Sequence, residues 1–247
     1  MIRLAHFSGH TFVSSLVTPN GTVFDFGLNY GGFSKAVAPL CARVIGFEPD
    51  TRWEGRRPSL PANVTVVPKA VAVESGTYRF HQNKEDSSSL HFADAGGSAV
   101  DVEAMTLKQA LALGPDRRID LIKMDIEGAE LAILRNADCE LLARVAQMSV
   151  EFHDFLDPTQ LPEIRHVIQR MRRFGFWVVK FGWRSYGDTL FVNARVLPLL
   201  LQQRIAIIVV YKYGRGLVRV LSRLRARAKK LFGPPLPIAS DTRAASE

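Results

Sequence analysis

Two places in the chain set side chains of acid–base character at the end of an apolar run. Asp125 and Glu127 follow "LIKM", and Glu151 and His153 follow "QMSV". Histidine is the side chain best tuned to take a proton near neutral pH, and a positioned general base contributes about 10²–10⁴-fold in rate. His153 is therefore the candidate base. Glu151 lies two residues earlier and on the same face of a strand, so it would orient the imidazole or an acceptor. Asp125 stands just ahead of a helical pattern, where a carboxylate gains from the helix dipole; the competing role for it is simple N-capping of that helix.

Earlier, "FDFGLNYGG" sets Asp25, Gly27, Asn29 and Gly31 between a strand-like run and a helix. Glycine and asparagine accept left-handed backbone, so this turn can bring main-chain N–H groups against a ligand. Glu48 follows Gly27 by 21 positions and ends the next apolar run, a spacing at which a carboxylate can accept both hydroxyl hydrogens of an adenosine ribose. Asn29 stands where a GxGxxG loop has its second glycine, which weakens a dinucleotide reading, and there is no GxxxxGK[ST] phosphate loop. Asp125, Glu127 and Glu151 could supply oxygen ligands to a divalent ion, but nothing in their spacing requires a metal, and none is expected. Cys41 and Cys139 stand alone, with no zinc or disulfide pattern.

The elements that must carry these residues alternate strand and helix. Strands are read at "TVFDFG", "RVIGFEP", "NVTVVPKAVA", "TYRFHQ", "AVDVEAMT", "IDLIKMDI" and "AQMSVEFHD", with "WVVKFGW" and "DTLFVNA" as a closing pair. Helices are read at "GFSKAVAPLC", "LKQALAL", "GAELAILRNADCELLARV" and "LPEIRHVIQRMRRFGF". Alternation of this kind gives a mostly parallel sheet covered on both faces. Ligands then bind beyond the carboxyl ends of the strands, where the strand order reverses. The polar loop "NKEDSSSLHF" is a candidate cover for that cleft.

These segments resemble a family. "VFDFGLNYGGFS", "GFEPD", "VPKAVA", "IDLIKMDIEGAELAILRNA", "SVEFHD" and "DTLFVN" are similar, in order, to the motifs of FkbM-type S-adenosylmethionine-dependent methyltransferases, over about residues 20 to 194. "KMDIEGAEL" is the most specific of them, and Leu28 and the lead "FDFG" depart mildly from the pattern. The resemblance implies an α/β class I methyltransferase fold, Rossmann-like: seven strands, six parallel and the last antiparallel, with helices on both faces. It implies S-adenosyl-L-methionine as cofactor. Asp25, Gly27, Asn29 and Gly31 would surround its methionine end, Glu48 the ribose and Ala70 the adenine. Asp125, from its own place facing the cleft, would sit near the donor's amine or sulfonium, or near the acceptor. The expected reaction is O-methylation of a hydroxyl on a sugar, glycan or natural product. The alternatives are an NAD- or nucleotide-sugar-dependent oxidoreductase and a non-catalytic, membrane-associated adaptor on the same fold.

The basic character of the chain, net +8, belongs to its last part: residues 195–247 hold 11 of the 32 Lys/Arg and 2 of the 24 Asp/Glu. We therefore divide the chain into a methyltransferase domain, 1–194, and a basic helical extension, 195–247, whose end "GPPLPIASDTRAASE" has the composition of a disordered segment. Within 215–231 arginines recur every four residues beside a leucine-rich face, a pattern suited to an anionic membrane surface. Nucleic acid is not an expected partner, because the basic positions lack aromatic interleaving beyond Tyr211 and Tyr213. The opening segment lacks the apolar core of a signal peptide and no window is long enough to span a bilayer, so a cytoplasmic location is expected, peripheral at the inner membrane surface if the basic helix binds it.

Overall fold

A computed structural model describes residues 2–55, 58–82, 98–196 and 200–209. The serine-rich loop and the basic helix expected over 215–231 lie outside the described residues. The chain divides into two units, Met1–Gln203 and Arg204–Glu247. Among the described residues no helix is long and apolar enough to cross a membrane.

The first unit opens with a hairpin, β1 (Leu4–Phe7) and β2 (His10–Val13). Then follow β3 (Thr22–Phe26), α1 (Gly32–Val37), β4 (Arg43–Phe47), β5 (Val64–Val67), β6 (Ala70–Ala72), β7 (Gly76–Gln82), β8 (Ser98–Thr106) and α2 (Leu107–Leu111). The remainder is β9 (Leu121–Met124), α3 (Glu130–Asn136), α4 (Cys139–Ala143), β10 (Gln147–Val150), α5 (Leu161–Arg173), β11 (Phe176–Lys180) and β12 (Thr189–Asn193), with α6 (Leu201–Ala206) after it.

Seven strands form the central sheet in the order β11-β12-β10-β9-β3-β4-β5. β12 runs antiparallel to both its neighbours and the other pairs are parallel, as expected of a class I methyltransferase sheet. From β3 the chain first builds outward through β4 and β5, then crosses back to place β9 on β3's other side. The carboxyl ends of β3 and β9 therefore diverge into a crevice.

Alternation along the strands sorts the core. Phe24, Phe26, Ile45, Phe47, Ile122 and Met124 pack on one face with residues of α2, α3 and α5, while Val23, Val44 and Leu121 pack on the other with Phe33 and Val37 of α1 and Phe12 of β2. That second face is only partly helical: the β1–β2 hairpin shares it and also packs Val13 on Leu190 and Val192 of β12. The hairpin turns through Ser8 (φ 46°) and Gly9 (φ 85°) between paired Phe7 and His10, the two-residue left-handed turn that suits strand twist.

Two segments differ from the sequence expectation. "NVTVVPKAVA" is two strands in two sheets, because Pro68 has no N–H to continue the ladder; β6 joins β8 and β7 in a separate three-stranded sheet. "GAELAILRNADCELLARV" is two helices, since Ala137 is extended (ψ 134°) and Asp138 caps α4 by accepting from Glu140 N–H.

Candidate active site

The crevice at the carboxyl ends of β3, β4 and β9 holds a cleft that opens to solvent. Its walls take Gly27 and Asn29 from the turn after β3, Phe47 to Pro49 from the end of β4, and Asp125 to Glu127 from the end of β9. The small sheet closes the side with Ala70, Val71 and Phe80, and Trp53 adds a broad aromatic surface. Of the sequence-predicted cofactor residues, Gly27, Asn29, Glu48, Ala70 and Asp125 share this one cleft.

Glu48 is buried at 7% exposure, and its two oxygens accept the main-chain N–H groups of Asn29 and Asp50, each at 2.8 Å. The group is thereby held rigid at the wall of the cleft. Charge-assisted bonds of this kind are the strong ones.

Gly27 has φ 81°, and a Cβ there would run into the carbonyl oxygen of Asp125. Its own carbonyl oxygen accepts from Lys123 Nζ at 2.5 Å. Asp25 lies beneath the cleft instead of lining it: fully buried, it accepts from Ser34 Oγ at 2.6 Å and faces Lys123 Nζ at 3.3 Å. Gly31 likewise stands back, at the start of α1 against Leu60. Both shape the turn and do not border the cleft.

Beyond the cleft the carboxylates gather. Asp125 Oδ2 is 3.5 Å from His10 Nε2 and 3.6 Å from Lys123 Nζ, and its Oδ1 is 3.7 Å from His153 Nε2. Burial opposes the charge on Asp125, but Lys123, His10 and His153 outweigh it and hold the carboxyl well below the usual range. Lys123, fully enclosed, is likewise kept charged against its burial by Asp25 and Asp125. Asp125 does not cap α3. No side chain does: Glu130, the first residue of α3, instead accepts from Ile126 N–H at 2.7 Å and Gly128 N–H at 2.9 Å in the turn before the helix, and so braces Glu127 in a left-handed conformation (φ 55°) that costs about 1–3 kcal/mol for such a residue.

The surroundings of His153 differ from those expected of a base. β10 ends at Val150, so Glu151 and His153 lie past the strand. His153 is 3% exposed, with Nε2 3.1 Å from Glu127 and Nδ1 3.7 Å from Glu130. Burial disfavours its charge, but those two carboxylates prevail and push its pKa up to about 11, so at neutral pH the ring already carries the proton it was expected to accept. Nor is Glu151 its orienting partner: Glu151 approaches His10, at 3.7 Å. Burial first, then the Asp125 charge, push Glu151 up to about 7. Sequence reading missed His10, whose signal was the Ser8-Gly9 turn, and Lys123, the one cation within the apolar run "LIKM".

The methyltransferase FkbM domain family matches residues 25–178. The chain belongs to this family. Its cofactor is S-adenosyl-L-methionine, and the cleft fits that molecule: an anchored carboxylate for ribose hydroxyls, apolar and aromatic walls for a flat base, and an ionised Asp125 for a cationic group. The oxidoreductase alternative is left without support.

Over 207 residues the chain is 25% identical to the AMB antimetabolite synthetase AmbE of Pseudomonas aeruginosa, covering 66% of this chain and 10% of that protein. Over 102 residues it is 34% identical to the methyltransferase sdnD of Sordaria araneosa, covering 38% of each. The chain thus spans well under two thirds of either relative. Among solved structures it is similar to an rRNA methylase from Streptococcus thermophilus (TM-score 0.40, 10% identity, 72% of this chain and 88% of that one). It is also similar to the N-methyltransferase NodS from Bradyrhizobium japonicum (TM-score 0.37, 15% identity, 72% and 90%).

Proposed function

We propose that this chain methylates a hydroxyl oxygen of a sugar, glycan or natural product with S-adenosyl-L-methionine as donor. The observation that carries the reading is the pair of carboxylates that line the cleft from the strands on either side of β3, Glu48 held by the Asn29 and Asp50 N–H groups and Asp125 kept ionised by Lys123. Bound there, the cofactor supplies an electrophilic methyl group on a sulfonium. Glu48 positions the ribose and the Gly27–Asn29 turn the methionine end; Asp125 attracts the positive charge. Positioning of this kind accounts for most of what a methyl transfer asks of a protein.

An oxygen acceptor is supported by the surface next to the cleft. Asp125, Glu127 and Glu151 each leave about a quarter of the side chain exposed, so a hydroxyl arriving there meets hydrogen-bond acceptors on several sides. A natural-product acceptor is supported by one relative's description as an antimetabolite synthetase. The test is twofold: calorimetric titration with S-adenosylhomocysteine, and a screen of hydroxylated acceptors with an isotopically labelled methyl donor. Saturable binding with label transferred to an ether oxygen is the expected result. Folded protein that gives no heat with S-adenosylhomocysteine sinks the donor assignment, and label found only on nitrogen or carbon sinks the oxygen assignment.

A further inference from the structure

One group in the site is unexplained by cofactor binding. His10 comes from the hairpin and stands behind Asp125, outside the lining of the cleft, with its ring fully buried. Phe33 packs edge-on against it, ring centroids 5.8 Å apart at 79°, and Nδ1 lies 3.3 Å from Ser149 Oγ. Among the described residues Nε2 makes no hydrogen bond. The carboxylate oxygens in front of it, Asp125 Oδ2 and Glu151 Oε2, stand at 3.5 and 3.7 Å, beyond hydrogen-bond range.

A buried imidazole nitrogen without a hydrogen bond costs free energy unless something occupies the gap. The gap has the dimensions of a metal centre. Two donors each about 2.1 Å from one ion, at tetrahedral to octahedral angles, are separated by about 3.0–3.5 Å. The three donor atoms of His10, Asp125 and Glu151 all lie within 4.8 Å of one another, so small side-chain shifts bring all three onto one centre. The second ring nitrogen of a metal-bound histidine characteristically rests on a polar neighbour that fixes its tautomer, the place Ser149 holds here. Charge agrees. The carboxylates of Asp25, Asp125, Glu127, Glu130 and Glu151 surround Lys123, His10 and His153, so negative charge is in excess even with both imidazoles protonated.

We propose that His10, Asp125 and Glu151 bind one divalent cation beside the cofactor cleft. One nitrogen and two carboxylate oxygens suit a borderline first-row ion such as Mn²⁺ or Zn²⁺. Three protein ligands leave open coordination positions, the arrangement of a catalytic and not a structural centre. The other trio with suitable spacing, Asp125, Glu130 and His153, is less fit, because Glu130 is spent on main-chain N–H groups and His153 is paired with Glu127. On the O-methyltransferase reading, an open position takes the hydroxyl oxygen of the acceptor and sets it in line with the cleft.

The experiment uses the full chain, freed of metal by chelator dialysis and saturated with S-adenosylhomocysteine. Mn²⁺ is titrated in, and the free-ion signal is followed by electron paramagnetic resonance. One ion per chain is expected, with affinity at least tenfold weaker in both His10→Gln and Glu151→Gln. Because His10 is fully buried, Glu151→Gln, at a partly exposed position, carries the test if His10→Gln does not fold. Absence of saturable Mn²⁺ binding to protein that still takes up S-adenosylhomocysteine overturns the metal site and leaves the methyltransferase reading standing; undiminished Mn²⁺ affinity in the folded variants overturns it equally. Failure to bind S-adenosylhomocysteine counts against the proposed function alone, and Mn²⁺ is then titrated without it and judged by the same variants.

Discussion

The ammonium group of Lys123 lies 3.3 Å from the carboxylate of Asp25, with both side chains shut off from solvent. The two are register partners on β9 and β3, and the same ammonium donates to the carbonyl oxygen of Gly27. One buried cation thus ties the glycine turn to the strand that carries Asp125. Lys123→Met strips Asp25 of its counter-charge, and breaking a buried pair in this way costs about 3–5 kcal/mol. Urea denaturation is expected to show that loss, with part of it recovered in Lys123→Met/Asp25→Asn. A single variant as stable as the parent would show the pair to be incidental.

Glu48→Gln keeps the shape of the side chain but turns an amide NH₂ toward one of the two main-chain N–H groups it now accepts. Charge-assisted bonds of this kind are worth about 1.5–3 kcal/mol, so S-adenosylhomocysteine is expected to bind about 10- to 100-fold more weakly. Calorimetry measures this, with far-UV circular dichroism as the check on folding.

At Gly27 the backbone itself is the requirement. Gly27→Ala places a methyl group against the Asp125 carbonyl in a left-handed conformation, whose intrinsic cost to an L-residue is about 1–2 kcal/mol. The clash falls between the two strand ends that form the crevice. A lower melting temperature together with loss of S-adenosylhomocysteine binding is expected; a variant that melts lower but binds normally would show that the turn tolerates displacement.

The two thiols differ in environment. Cys41 is buried against the Val37 and Ala38 carbonyls, and burial pushes its pKa up to about 11. The thiolate is the reactive form, and at pH 8 its fraction at Cys41 is of order 10⁻³ by that value. Iodoacetamide at pH 8 is expected to label Cys139 in the native chain, and both residues once urea is added. Mass spectrometry of tryptic peptides reads the outcome, and native labelling of Cys41 would contradict its packing.

The cleft was legible in the sequence because each strand that builds it stops on punctuation. Gly27, Glu48-Pro49 and Asp125 each follow an apolar run, and parallel packing brings such ends together wherever the strands sit in the sheet. His10 was legible only as the end of a turn: "SG" marks the hairpin, but nothing local tells that it folds over β10 and delivers a ring to Asp125. Lys123 was half legible. A lysine within an apolar run must be paired if buried, but its partner depends on a cross-strand register that no local pattern encodes. The charge of His153 was not legible, because its residue type suggested a proton acceptor, whereas the neighbours that raise its pKa, Glu127 and Glu130, reach it only through the turn after β9. The split at Ala137 carried a readable sign, an aspartate suited to start a new helix.

Among the described residues β12 is the last strand of the sheet in the chain, yet it lies between β10 and β11 and is β11's sole ladder partner. As the polypeptide leaves the ribosome, residues 176–180 emerge with no neighbour to join and must wait, beside an open slot on β10, until Asn193 has cleared the exit tunnel. A fragment cut at residue 178, where the family match ends, would leave that slot permanently empty and expose the backbone edge of β10 to other chains.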